Sequence, residues 1–397
     1  MNLAALTRIM RSCTGKVQRN LLRFVWNGRQ AVGAFERRLQ RKQPFFPAFL
    51  MLSITNQCNL RCRGCWVTQS TPPQQLSLAQ LQGIISTAEK YSSRFFGILG
   101  GEPLFHPQLF TLFENNPQAY FLLFSNGTHL DQACAEKLAA LGNVTPLISI
   151  EGLENESRRR RGRDDVFAQS LAGLRQAVQA GLFTGVSASI NKHNFAELVS
   201  REYLDFLVAQ GVHYLWYYIY RPCGKDPDVQ CALDEDEIFR LRQFLVEQRT
   251  SARILLIDAY WDAQGQALCP GTTGISHHIA PNGALEFCPV VQFCGGKLNA
   301  NASNLEELLQ DNQYLADMRS FTAQLGRSCV LLESPRELEE FLRSKQAEDS
   351  SGRDGWTELA GLQPLPSHGS RQRQLPEKSL CYRLAKKFYF FGFGAYG

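Results

Sequence analysis

Six short apolar runs recur along residues 48–219: Ala48–Ile54, Phe95–Leu99, Tyr120–Phe124, Pro146–Ile150, Gly185–Ile190 and Tyr214–Ile219. Each has the length of a strand rather than a helix, and turn or polar residues close several of them. Gly100-Gly101 follows the second, Ser125-Asn126-Gly127 the third and Glu151-Gly152 the fourth. Helical patterns fill the gaps. The first opens at Ser77, whose spacing from Gln80 is that of a capping box, and runs to about Lys90. Others lie near 130–141, 165–180, 195–210 and 234–250, and Ile254–Ile257 adds an extra strand. This alternation predicts an α/β fold with a parallel sheet and helical crossovers, open or closed into a barrel. Such sheets bind ligands at the C-terminal ends of their strands, where the glycines and polar residues gather here.

The loop after the first run holds Cys58, Cys62 and Cys65, with three residues between the first pair and two between the second. Cysteines this close together suit a metal. Structural zinc takes four protein ligands, and neither a histidine nor a fourth cysteine lies nearby. A cubane iron–sulfur cluster on three thiolates keeps one iron open for something reactive. The chain has twelve cysteines in 397 residues. Its length and the metal-type spacing argue for a reducing compartment, not a secreted disulfide scaffold.

With this loop after the first strand, residues 48–260 resemble the radical S-adenosylmethionine (radical SAM) enzymes, whose C-x3-C-x2-C loop carries a [4Fe–4S] cluster. The resemblance implies a partial (β/α)6 barrel. It implies that Cys58, Cys62 and Cys65 ligate the cluster and that its open iron holds S-adenosylmethionine. It further implies reductive cleavage to a 5′-deoxyadenosyl radical, which takes a hydrogen atom from substrate, and an electron donor such as flavodoxin or ferredoxin. Gly100, Gly101 and Glu102, ahead of Pro103, resemble the motif that contacts the methionine ammonium. Ser125 and Asn126 resemble the polar pair that binds ribose or carboxylate. Ser149 and Glu151 are similar to the next strand-end motif, in which aspartate is usual at the place of Glu151. Arg161, before Gly162 and within the run Arg158–Arg161, matches an arginine that pairs with the methionine carboxylate. Ser189 and Asn191 match positions near adenine or ribose. The family usually has an aromatic residue before the third cysteine. Here that residue is Gly64, and Trp66 is expected to supply the adenine surface.

From about residue 262 the texture changes, with Gly, Pro, Cys and His concentrated in 265–298. Cys269, then Gly283 and Cys288, resemble the opening half of the auxiliary-cluster domains called SPASM and twitch. This implies a small α+β C-terminal domain and at most one auxiliary [4Fe–4S] cluster. Cys269 and Cys288 are its first ligands, with Cys329 next and Cys294 or Cys381 to complete the set; an iron-free domain with buried cysteines is the alternative. His277 and His278 read as satisfied histidines, and Cys13, Cys134, Cys223 and Cys231 as structural. Helices are expected near 303–317 and 335–345, the second capped by Ser334 with Glu337 as box partner. Residues 346–379 read as a linker or surface loop. The aromatic tail KKFYFFGFGAYG is expected to be buried or to touch substrate or membrane.

Residues 1–42 carry ten lysines and arginines against Glu36 alone, a charge of +9 in a chain whose total is +5, which leaves the remainder at −4. Val17, Leu21, Phe24 and Val25 share one helical face, with Lys16, Arg19 and Arg23 on another. A basic amphipathic helix of this kind either packs on the main domain or lies on an anionic membrane. Nucleic acid is not expected, because aromatic interleaving is sparse. No signal peptide or spanning helix is expected, which points to the cytoplasm, peripheral to the inner membrane surface. The segments are thus 1–46 (basic helical), 47–260 (radical SAM core), 261–345 (auxiliary domain) and 346–397 (linker and tail). The substrate is expected to be a peptide, a protein or a membrane lipid. A non-catalytic iron–sulfur redox or iron sensor is the alternative from another class.

Overall fold

The computed structural model describes residues 3–224, 227–258, 260–369 and 373–389. Seven parallel strands run in chain order: β1 (Phe49–Thr55), β2 (Phe95–Gly100), β3 (Tyr120–Ser125), β4 (Val144–Ser149), β5 (Gly185–Ile190), β6 (Tyr214–Ile219) and β7 (Leu255–Ile257). The sheet continues on the other side of β1. There β8 (Ser276–Ile279) runs parallel to β1, and β9 (Ala284–Cys288), β10 (Val291–Lys297) and β11 (Glu348–Asp349) follow antiparallel. The open order is β11-β10-β9-β8-β1-β2-β3-β4-β5-β6-β7. This is the expected α/β partial barrel, with the α+β C-terminal part joined to it through one shared sheet.

The apolar runs become strands because the crossover helices cover the outer face of the sheet and the barrel interior covers the other, so most strand positions are buried on either side. β1 and β6 are buried along their whole length. β4 starts two residues before the expected Pro146, where the β-branched Val144 and Thr145 extend it. Ser77 and Gln80 form the expected capping box on the helix Leu78–Lys90. The 195–210 pattern is two helices, Phe195–Leu198 and Arg201–Ala209, because the Ser200 side chain caps Tyr203 N and restarts the helix. Asn312 likewise divides the 303–317 pattern into Leu305–Gln310 and Gln313–Leu325. Ser334 makes no side-chain cap on Pro335–Ser344, so the box expected there is absent.

The basic N-terminal segment packs under the barrel as two helices, Leu3–Ser12 and Gly15–Gln40. Phe24 stacks on Tyr120 at the N-terminal end of β3 and meets Phe95 of β2 at a tilt, with centroids 4.6 and 5.0 Å away. The cations reach backbone carbonyls at helix C-terminal ends. Arg8 donates to Val208 O and Val212 O, Lys16 to Ala140 O, Arg23 to Pro117 O and Arg38 to Tyr91 O. Val208 and Ala140 lie in the last turns of their helices and Tyr91 caps a third, where the negative pole of a helix favours a cation.

The stretch expected as a linker is instead packed structure. It contains β11 and the helix Gly355–Gly361, and Arg353 donates to Trp66 O at 2.9 Å and Gln292 Oε1 at 2.7 Å. Further on, Glu377 and Lys386 join a buried charge network with Arg242, Arg249 and Asp258. Most of the aromatic tail lies outside the described residues.

Candidate functional site

A cavity of about 830 Å³ opens at the C-terminal ends of β1–β6, on the side away from the basic helices. That volume is within the range of small-molecule sites. Cys58, Cys62 and Cys65 border it from the loop after β1. Burial pushes the Cys58 thiol up to about 12 and raises Cys65 as well, with Arg160 and Arg161 opposing the shift at Cys65. Buried sulfurs of this kind become thiolates when bound to metal. Among the described residues, the donor atoms of His193, Asp228 and Cys231 form a set within 4.8 Å of one another; the three loop sulfurs form no such compact set. Three thiols border the cavity with no histidine or fourth cysteine beside them among the described residues, a donor set that suits a cluster with one open iron.

Gly64 shapes the loop. Its φ is +64°, and a Cβ there would come 2.7 Å from Tyr220 Oη. Tyr220 thus occupies the space that an aromatic residue at position 64 would claim. Trp66 borders the cavity with its ring 5.7 Å from that of His278.

Gly100 and Gly101 line the cavity as expected, and their need for glycine is steric. A Cβ on Gly100 would meet Thr55 O at 2.2 Å and one on Gly101 would meet Gln57 O at 2.3 Å. Glu102 is placed differently from the sequence reading. It does not border the cavity but is fully buried beneath it, accepting from Ser125 Oγ at 2.9 Å, Asn126 N at 2.7 Å and Leu104 N at 3.2 Å. Burial outweighs these bonds and raises its carboxyl to about 7. Glu102 is therefore a bracket that presents Ser125 and Asn126. Asn126 Nδ2 in turn donates to Asn59 Oδ1 at 2.9 Å, which ties the cysteine loop to β3.

Ser149, Glu151 and Ser189 border the cavity together with Arg160 and Arg161. Arg161 Nη2 donates to Glu151 Oε1 at 2.8 Å and Nη1 to Cys62 Sγ at 3.4 Å. Burial opposes its charge, but Cys62 and Glu151 outweigh that and its pKa is raised. Glu151 Oε2 also accepts from Ser189 N at 2.8 Å. Asn191 does not border the cavity; its side chain accepts from His193 N in a local turn. Sequence reasoning missed Tyr218, Ser187 and Arg353 in the wall and Tyr220 beside it. The strand-end position of Tyr218 and Tyr220 was a usable signal, whereas nothing local marks Arg353.

A second, smaller cavity is bordered by Cys269, Cys288 and Cys329, with Arg221 and His368. Cys294 is not among them. It lies past a register shift in β10, packed with Ala280 and Ala284. Cys381 is exposed on the helix Leu380–Phe388. His277 and His278 lie on β8 and are satisfied. His277 Nδ1 pairs with Phe287 O at 3.2 Å, and His278 bridges Ser53 Oγ at 2.7 Å and Glu286 Oε2 at 2.6 Å. In the set of His193, Asp228 and Cys231, the carboxylate already accepts from the thiol and faces Arg63 at 3.6 Å.

Residues 52–200 match the family model of the Radical SAM superfamily. The chain is 28% identical to the pre-heme d1 synthase of Dinoroseobacter shibae over 174 residues, covering 40% of this chain and 43% of that protein. It is 28% identical to the sporulation killing factor maturation protein SkfB of Bacillus subtilis over 165 residues, 39% of this chain and 38% of that one. The chain thus spans about two fifths of the length of these two relatives. The solved structure of Streptococcus suis SuiB bound to precursor peptide SuiA superposes with a TM-score of 0.59 at 17% identity, covering 72% of this chain and 70% of that chain. The three-cysteine loop after β1 and strands β2 to β5 lie within the stretch that matches the Radical SAM superfamily model, and the likeness to SuiB is one of fold.

Proposed function

We propose that this chain is an enzyme that cleaves S-adenosylmethionine reductively and takes a hydrogen atom from a substrate, with a [4Fe–4S] cluster on Cys58, Cys62 and Cys65. The observation that carries this reading is the convergence of three half-buried thiols, the Gly100-Gly101 turn and two arginines on one cavity. Held by Cys58, Cys62 and Cys65, such a cluster would supply the one-electron reducing chemistry that reductive cleavage of the sulfonium needs. The chain's own residues bind and orient. Gly100 and Gly101 let backbone carbonyls approach the ammonium, and Arg160 and Arg161 draw the carboxylate. Ser125, Asn126, Ser149 and Ser189 offer bonds to ribose, with Trp66 and Tyr218 beside the adenine. Reduced flavodoxin or ferredoxin is the electron source, and Cys269, Cys288 and Cys329 hold an auxiliary cluster.

A peptide or protein substrate is supported by the relatives: SkfB is named a maturation protein, and SuiB is solved with a precursor peptide. A membrane lipid is the second reading, favoured by one surface feature. Arg19, Leu22, Trp26 and Arg29 form an outward stripe on the helix Gly15–Gln40, with Leu22 67% and Trp26 66% exposed. Leu380 and Leu384 are exposed on a helix packed beside it. Apolar residues between arginines suit an anionic bilayer surface. No helix among the described residues is long and apolar enough to cross a membrane. The proposed location is the cytoplasm, at the inner face of the membrane.

Calorimetry on anaerobically reconstituted protein tests the cosubstrate. The proposal expects saturable binding of S-adenosylmethionine that Cys62→Ala abolishes. A reconstituted cluster with no such binding would favour the iron–sulfur redox or iron sensor instead.

A further inference from the structure

The geometry points to His368 as the fourth ligand of the auxiliary cluster held by Cys269, Cys288 and Cys329, an inference that rests on the cluster proposed above. The four residues come from separated parts of the chain. Cys269 precedes the turn Pro270–Thr273, Cys288 closes β9, Cys329 precedes Val330–Glu333, and His368 lies in the stretch expected as a linker. All four border the same cavity.

The histidine is set up as a ligand. It is 4% exposed, and its ring is held against Tyr260 and Trp261, with centroids 4.9 and 6.2 Å away. Its Nε2 lies 3.2 Å from Leu268 O, so an Nε2–H donating to that carbonyl leaves the lone pair on Nδ1. Metal-bound histidines are oriented in this way, by giving their other N–H to a carbonyl or carboxylate. Leu268 directly precedes Cys269, so one backbone turn fixes both a thiolate and the imidazole. Arg221 Nε donates to Cys329 Sγ at 3.3 Å, which fixes where that sulfur stands on the cavity wall. Cys294, the sequence candidate for this place, does not border the cavity.

The test uses the full chain carrying Cys58→Ala, Cys62→Ala and Cys65→Ala, so that any cluster present is the auxiliary one. Reconstituted with iron and sulfide, it should bind about four irons. Once reduced, it should show nitrogen hyperfine coupling in pulsed electron paramagnetic resonance. Adding His368→Cys should keep the iron, remove the coupling and make the midpoint potential more negative, since imidazole ligation raises cluster potentials. Cys294→Ala should change none of these. Iron bound without the coupling, or coupling that survives His368→Cys, overturns histidine ligation and leaves the auxiliary cluster standing. No iron, or zinc in its place, overturns both. If the triple variant does not fold, His368→Cys in the otherwise unaltered chain gives the same decision: the coupling must vanish from one of the two cluster signals.

Discussion

Arg161 spans Cys62 and Glu151: its Nη1 stands 3.4 Å from the Cys62 sulfur and its Nη2 2.8 Å from Glu151 Oε1. One guanidinium thus couples the loop after β1 to the end of β4. Arg161→Gln should leave Glu151 buried with a weakened set of partners and cost about 3 kcal/mol of stability, read from urea unfolding. It should also weaken S-adenosylmethionine binding at least tenfold by calorimetry. An unchanged affinity would remove Arg161 from the cosubstrate site.

Glu102 gives a pH dependence. Its carboxyl is raised by burial to about 7, so the folded state holds a proton that the unfolded chain releases near the usual carboxylate pKa of about 4.3. Stability should therefore fall as pH rises from about 4.3 to about 7, by roughly 3 kcal/mol, and level off above. Glu102→Gln should flatten this slope in urea midpoints across the same window. A slope that persists in the variant would assign it to another group.

How much of this was legible follows from which interactions are local. The strands were, because a parallel sheet buried on both faces leaves unbroken apolar runs. β5 and β6 match their expected limits. The cysteine loop, Gly100-Gly101 and Ser125-Asn126 were legible because strand-end position puts them at one edge. The direction of a side chain was not: Glu102 turns under the turn that it follows, toward Asn126 N and Ser125. Contacts across long sequence separation were also hidden. Arg353 reaches Trp66 O, and His368 reaches the second cavity, from a stretch whose polar composition reads as a loop. The basic N-terminal helix was legible, but not that its cations reach the carbonyl ends of barrel helices.

The C-terminal clamp should matter to folding. Asp258 accepts from Arg249 and lies 3.1 Å from Lys386 Nζ, all buried, while burial lowers Lys386 to about 8. Asp258→Asn leaves two buried cations short of a counter-charge and should destabilise the chain by about 3–5 kcal/mol in urea unfolding. A loss below 1 kcal/mol would mean that the C-terminal helix is held by its apolar contacts instead.

The outward stripe predicts membrane contact without a stability effect. Leu22→Ser with Trp26→Ser should change unfolding by no more than about 0.5 kcal/mol, because both side chains are exposed. The double variant should lose most of its co-sedimentation with anionic phosphatidylglycerol vesicles. Parent protein that does not sediment with them would end the membrane reading.

The most direct measurement is of 5′-deoxyadenosine. Anaerobically reconstituted protein, given dithionite and S-adenosylmethionine, should form 5′-deoxyadenosine and methionine in equal amounts, detected by liquid chromatography with mass spectrometry. Cys62→Ala should form neither. A fully loaded cluster that yields no 5′-deoxyadenosine, or a Cys62→Ala variant that yields as much as the parent, would contradict the account.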